Sequence, residues 1–237
     1  MACRATLVHF LAWIEEMYTD TTYHNKTHAA DVVQGVYWML ATAKVETFLS
    51  DIEILSLLLG AMIHDVGHDG YNNNYHKNAA SDRAIDANDT SIQENFHART
   101  VFAMMRDRKD IDILSGCSAQ QRQEIRRIII NVVLATDMSK HFVGMKDFQN
   151  LIQEKGLNPA EWSESTDSLM SNVMHICDIS NPARPQRWAV EWTDRCLAEF
   201  FKQGELEKSM GLPVSPNCDY EKTSRPASQV RFLGSQV

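Results

Sequence analysis

Five of the nine histidines and two aspartates fall in an order with chemical content: His24, His28, His64-Asp65, His68, His97 and Asp178. His24 and His28 stand four apart, so a helix through both would project them from one face about a turn from each other. His64-Asp65 sits where a strongly apolar segment gives way to a loop rich in Gly and Asn, and Asp178 closes the run MSNVMHICD before the break Ser180-Asn181-Pro182. Two imidazoles with two carboxylates make a mixed N/O donor set suited to Zn²⁺ or another first-row divalent ion, with positions left for water. A bridging carboxylate would bind a second, harder ion such as Mg²⁺. That combination points to metal-assisted hydrolysis. An HxxxH pair or an HD dipeptide says little alone, but HDxxH with HxxxH upstream and an Asp closing a helix downstream says much more. His9, His76, His141 and His175 read as structural, and His175 reads as a hydrogen-bonded core histidine although it lies three residues before Asp178.

The elements that must position these groups are helical. Leu7, Phe10, Leu11 and Ile14 follow i, i+3, i+4, i+7 spacing, as do Val33, Val36, Tyr37 and Leu40. The segment Asp51 to Ile63 opens with Asp51, suited to an N-cap, and is then apolar nearly all round, as in a helix buried within a larger core. Ile128 to Leu134 has the composition of a buried strand, but its continuation from QQRQEIRR predicts a helix. Loops are expected at His68–Asn74, Lys155–Thr166, Ser180–Pro185 and Gly211–Asp219. Hairpin signals and internal repeats are missing, so one all-α domain is the economical reading.

With 237 residues, 44% of them hydrophobic, the chain can bury a core, which excludes a fibrous or unstructured protein. Its net charge of −8 and the lack of any Lys/Arg cluster longer than Arg126-Arg127 argue against nucleic-acid binding. A small anionic ligand stays compatible with this balance if metal ions supply the positive charge. Cys3, Cys117, Cys177, Cys196 and Cys218 are odd in number and widely spaced, which suits reduced thiols. No apolar stretch approaches the roughly 20 residues of a membrane span, and the N-terminus lacks a signal-peptide pattern, so a cytoplasmic address is expected.

Six ordered motifs, YHNKTHAADVVQ, HDVGHDGYNNNY, NDTSIQENFH, LATDMSKH, CDISNPARP and GLPVSP, resemble the catalytic domain of class I cyclic-nucleotide phosphodiesterases. HDVGHDGYNNNY fits the family signature at every fixed position, and the matches run from Tyr23 to Phe232. The resemblance implies a compact multi-helix, HD-type catalytic domain that cleaves the 3′ phosphoester bond of cAMP or cGMP to give the 5′-monophosphate. It implies His28, His64, Asp65 and Asp178 as ligands, with Zn²⁺ in the first site, Mg²⁺ or Mn²⁺ in the second, and Asp65 between them. His24 matches the acid that protonates the departing O3′, and Glu199, in LAEFF, is the candidate to hold it protonated. His68, Glu94 and His97 match groups that orient waters and ligands. Gln229 matches the reader of the purine edge and Phe232 the stacking aromatic, with Tyr23, Met138, Asn181 and Cys196 lining the substrate site. A glutamine amide presents either oxygen or nitrogen, so the choice between adenine and guanine stays open.

The chain departs from the resembled pattern at three places. Asp69 stands where many members have proline, Phe96 replaces the first of two histidines, and Cys196 replaces an aliphatic jaw of the base clamp. Family domains also extend further at both ends, so 1–237 reads as a single catalytic domain incomplete at one or both ends, with truncation expected at the C-terminus, and compatible with a homodimer. The expected partner is a small cyclic nucleotide. Two other readings compete: another HD-type phosphohydrolase of nucleotides or phosphate monoesters, and a non-catalytic cyclic-nucleotide-binding module. Asn181, Gln229 and Phe232 argue against the first; the shortened C-terminus makes the second plausible, and metal content separates it from the enzyme.

Overall fold

The computed structural model describes residues 4–234, with side chains through Val230. Eleven α-helices follow one another among the described residues, with no strand: α1 Arg4–Met17, α2 Lys26–Ala41, α3 Asp51–Ile63, α4 Asn73–Asn78, α5 Asp82–Asp86, α6 Ile92–Asp107, α7 Ala119–Leu134, α8 His141–Lys155, α9 Thr166–Asp178, α10 Gln186–Ser209 and α11 Arg225–Gly234. Short 3₁₀ turns fill the connections at Val45–Phe48, Met138–Lys140, Pro159–Trp162 and Asn181–Ala183. The all-α expectation is met. No single described helix is long and apolar enough to cross a membrane.

Helices α3 and α7 pack on each other and divide the core in two. Leu59 and Ile63 of α3, with Ile125, Ile129 and Val133 of α7, face Phe10, Trp13, Ile14 and Ile111 on one side. Leu57 and Ala61, with Ile128 and Val132, face Val32, Val36, Met170 and Met174 on the other. Burial on both sides explains why these two helices are apolar nearly all round. It also removes the strand alternative for Ile128 to Leu134, because a capping box of Ser118 and Gln121 starts the helix in the polar segment upstream. The cap of α3 differs from expectation. Ser50, not Asp51, occupies the N-cap, where its hydroxyl accepts from the Glu53 N–H while the Glu53 carboxylate returns to the Ser50 N–H at 2.8 Å. Asp51 is then the first helical residue.

Helix α10 lies across the end of the molecule that holds the histidines. Its inner face carries Glu199, Gln203 and Glu207, all buried, at successive turns. Each tethers a different loop. Glu199 accepts from the Tyr23 N–H, Gln203 Oε1 accepts from the Asn72 N–H at 2.9 Å, and Glu207 accepts from the Ser215 N–H at 2.8 Å and its hydroxyl at 2.6 Å. Gly204 allows the last loop to close, since a Cβ there would overlap the Cys218 carbonyl. Gly204→Ala should therefore destabilise the fold by about 1–3 kcal/mol, read as a lowered Tm, even though alanine favours helices.

Candidate metal centre and catalytic site

Three helix ends converge to make the site. At the start of α2, the Asn25 side chain accepts from the N–H groups of Thr27 and His28, so the helix begins at Lys26. His28 lies in the first turn and is fully buried. His24 lies before the cap, outside the helix, so the two histidines do not share a helical face as expected from their spacing. A tight loop fixes it instead: the Thr21 hydroxyl donates to the His24 carbonyl at 2.5 Å, and Asn25 Nδ2 donates to the Thr21 carbonyl at 2.8 Å. His64 and Asp65 follow the last turn of α3, and Asp178 is the last residue of α9.

His64 Nδ1–H donates to the Ala61 carbonyl at 3.0 Å, which leaves Nε2 as the donor atom aimed at the site. That atom lies 3.4 Å from His28 Nε2, 3.1 Å from Asp65 Oδ2 and 3.3 Å from Asp178 Oδ1. Asp178 Oδ1 is 2.9 Å from His28 Nε2. All four ligand atoms lie within 4.8 Å of one another, and Asp65 Oδ2 is buried without a hydrogen-bond partner. Two imidazole nitrogens and two carboxylate oxygens converging in this way fit a divalent cation. Burial alone would disfavour the charged forms here. Against it, Asp65 and Asp178 raise the His64 pKa well above its ordinary value, and the His64 charge holds both carboxyls below theirs. A cation entering between these atoms would take the place of that proton.

Asp65 also belongs to a second group of donors, with His68 and His97, whose ligand atoms again fall within 4.8 Å of one another. One carboxylate thus faces two donor sets. His97 Nδ1–H donates to the Val66 carbonyl at 2.8 Å, and burial lowers its pKa to about 4. His68 is likewise lowered by burial and by His24, and its Nδ1 accepts from the Gly70 N–H at 3.0 Å. Glu94 is pushed up to about 7 by burial and by the charge of Asp137, while Asn73 donates to it at 3.0 Å.

His24 has a different environment. Its Nδ1–H donates to Glu199 Oε1 at 2.5 Å, and Glu199 Oε2 accepts from the Tyr23 and His24 N–H groups at 2.7 and 3.2 Å. The imidazole stacks on His68 with centroids 4.0 Å apart. Burial pulls its pKa down, yet the Glu199 carboxylate, joined by the charges of Asp65 and Asp178, outweighs burial and raises it to about 9.

Of the residues expected to line the substrate site, Tyr23 and Asn181 are in direct contact. Tyr23 donates its hydroxyl to Asn181 Oδ1 at 2.5 Å, and Asn181 Nδ2 donates to Asp31 Oδ2 at 2.9 Å, so this buried amide joins the loop before α2 and α2 itself to the exit of α9. Met138 is half-exposed, and Cys196 is partly buried on α10, where burial and then Glu199 push its thiol up to about 12. Gln229 is partly buried on α11, which is tied to α10 by an Arg225–Asp194 ion pair at 2.5 Å. No hydrogen bond, ion pair or ring contact joins Met138, Cys196 and Gln229 among the described residues. The Phe232 side chain lies outside the described residues, as does Cys3. Of the histidines read as structural, His175 pairs with His141 at 2.8 Å, and His76 bridges Ser81 and Asp69. Gln203 and Glu207 were not legible as site residues, though their four-residue spacing from Glu199 was the available signal.

Residues 23–237 match the family model described as 3′5′-cyclic nucleotide phosphodiesterase. The chain belongs to that family. It is 38% identical over 235 residues to mouse "3′,5′-cyclic-AMP phosphodiesterase 4C", covering 96% of this chain and 34% of the relative. It is 38% identical over 230 residues to the Caenorhabditis elegans "Probable 3′,5′-cyclic phosphodiesterase pde-1", covering 96% and 33%. The chain therefore spans about a third of these relatives' length. Among solved structures, the phosphodiesterase domain of the RhoPDE fusion protein from the choanoflagellate Salpingoeca rosetta superposes with a TM-score of 0.88 at 26% identity, over 99% of this chain and 77% of that one. LmjPDEB1 in complex with IBMX gives 0.88 at 27% identity, over 98% and 72%.

If the phosphodiesterase domain binds a divalent ion at the four-residue cluster, chelation should lower its Tm and re-addition restore it, by about 2.7 kcal/mol at a hundredfold excess over Kd. His64→Ala should abolish that metal-dependent increment.

Proposed function

We propose that the chain hydrolyses the 3′ phosphoester bond of cAMP or cGMP, releasing the 5′-monophosphate. The observation that carries this reading is the His24–Glu199 pair, an imidazolium held beside the donor cluster of His28, His64, Asp65 and Asp178 without being one of its members. Zn²⁺ at that cluster and Mg²⁺ or Mn²⁺ on the far side of Asp65 would, when bound, activate a water and offset the charge of the phosphodiester. The protein's own residues supply the other requirement, a proton for the leaving O3′. Nδ1–H of His24 is committed to Glu199, so the ring presents Nε2–H to the departing oxygen, a task typically worth about 10²–10⁴ in rate.

His68, Glu94 and His97 are proposed to orient waters around the ions, the first two from the turn after α3 and the start of α6, with His97 one turn further along that helix. Gln229 and Phe232 are proposed to read and stack the base, with Tyr23, Met138, Asn181 and Cys196 beside them. Asn181 acts here through the Tyr23 and Asp31 contacts already described, as a brace for the pocket wall. A cytoplasmic address suits this substrate, and the four described cysteines are free thiols.

Purified protein supplied with Mg²⁺ and a trace of Zn²⁺ should release AMP from cAMP or GMP from cGMP; no 5′-nucleotide from either would overturn the reading. His24→Ala should lower kcat by about 10²–10⁴ with metal content intact, whereas an unchanged rate would remove His24 as the acid.

The pH profile gives a separate check. His24 must be protonated, so activity should be retained below its raised pKa and fall as pH rises through it, the limb lying below the metal-free value of about 9 because bound cations offset the charges of Asp65 and Asp178. In Glu199→Gln the largest raising charge is gone while burial still lowers the pKa, so the alkaline limb should move to lower pH. An unshifted limb would show that Glu199 does not hold the proton.

A further inference from the structure

The turn between α3 and α4 carries His64, Asp65 and His68, and its backbone is held by a side chain outside the donor cluster. Arg83, on α5, donates from Nη2 to the Gly67 carbonyl at 3.1 Å and from Nη1 to Gln93 Oε1 at 2.5 Å. Nη1 also lies 3.5 Å from Asp69 Oδ2. The guanidinium carbon sits 3.7 Å from the centroid of the Phe96 ring. Asp69 is itself held: its Oδ1 accepts from Gln93 Nε2 at 2.8 Å, His76 Nε2 at 3.2 Å and the Tyr71 N–H at 3.3 Å. Two of the three positions at which the sequence departs from the resembled pattern, Asp69 and Phe96, therefore meet on Arg83.

Gly67 is the point they act on. Its φ of +73° is in the left-handed region, and a Cβ there would stand 3.0 Å from Phe96 Cε1, so the ring packs directly against the turn. The Gly67 N–H donates to the Met17 carbonyl at 3.1 Å. On either side, the Val66 carbonyl accepts from His97 and the His68 carbonyl accepts from the Thr19 hydroxyl. Asp65 and His68 flank this clamped unit, so a rotation at Gly67 would displace both.

We propose that Arg83, together with Asp69 and Phe96, is a positioning unit that fixes the Gly67 carbonyl and so keeps Asp65 and His68 aligned with the donors from α2 and α9 for a divalent ion. The inference rests on the metal-site reading and does not depend on which phosphoester is cleaved. Only a guanidinium meets the geometry, because its planar fork donates in two directions while lying against an aromatic ring. Groups of this kind, one step removed from the metal, commonly change metal affinity without touching the ion.

The test compares Arg83→Ala, Arg83→Lys and the control Arg99→Ala, an exposed arginine paired with Asp86 at 3.4 Å. Zn²⁺ affinity is measured by competition with a chelator on the full chain, with kcat and KM for cAMP and the Tm of the metal-stripped protein alongside. Arg83→Ala should weaken Zn²⁺ binding by about 10- to 100-fold and lower kcat more than it alters KM. Arg83→Lys, which keeps the charge but not the fork, should fall between it and the wild type, and Arg99→Ala should match the wild type. An Arg83→Ala protein that melts earlier but binds Zn²⁺ as tightly as the wild type would reduce Arg83 to a structural role and overturn the proposal. If Arg83→Ala does not fold, wild-type affinity in Arg83→Lys overturns it equally. Wild-type protein that binds Zn²⁺ but turns over no cyclic nucleotide would sink the function reading and leave the affinity comparison decisive; wild-type protein that binds no Zn²⁺ would sink both.

Discussion

Asp65, Asp178 and Glu199 are carboxylates withdrawn from water within one small region of the molecule, and the surrounding structure is organised by the need to compensate them. An unpaired buried charge costs several kcal/mol even after relaxation. Glu199 meets that demand locally, with the His24 imidazolium and two backbone N–H groups. Asp65 and Asp178 meet it differently, across from two imidazole nitrogens 3.4 Å apart. Two such nitrogens have little to offer each other unless a cation or a proton lies between them and the carboxylates.

Keeping these groups dry and still is the work of the helices around them. The α3–α7 contact divides the core and gives α3 a rigid end from which His64 and Asp65 emerge. Helix α10 closes the site from the other side, and its buried polar row joins the loops before α2, before α4 and after α10. Those loops contain His24, the segment following His68, and Ser215. One helix face thus couples the proposed acid to the turn that carries the candidate metal donors. The clamp on Gly67 does the same from the α5 and α6 side, so the turn is restrained from both directions.

Much of this was legible in the sequence, for identifiable reasons. The apolar periodicity of α1 and α2 and the all-round apolarity of α3 are local signals. The donor types and the HDxxH spacing are local as well. Less legible were features that depend on competition between neighbours or on distant partners. The spacing of His24 and His28 suggested one helix, but Asn25 caps α2 between them and frees His24 to turn towards Glu199. Asp51 suits an N-cap, yet Ser50 takes that place because Glu53 completes a capping box with it. Asn181 reads as a pocket residue, and what its spacing could not show is that its amide bonds Tyr23 and Asp31. Arg83 gave no signal at all, since nothing near it in sequence shows that Asp69 and Phe96 will meet on its guanidinium.

The amino-acid sequence alone determined the fold class, the ordered donor set and the family, because helical period, residue type and motif spacing are carried by the chain whatever its conformation. Tertiary structure decided the rest. His24 and Glu199 are 175 residues apart, and His28 and Asp178 are 150 apart. Only their approach gives His24 a carboxylate partner and brings Asp178 to the donor group of His28, His64 and Asp65, since protonation follows from burial and distance, which composition and spacing do not contain.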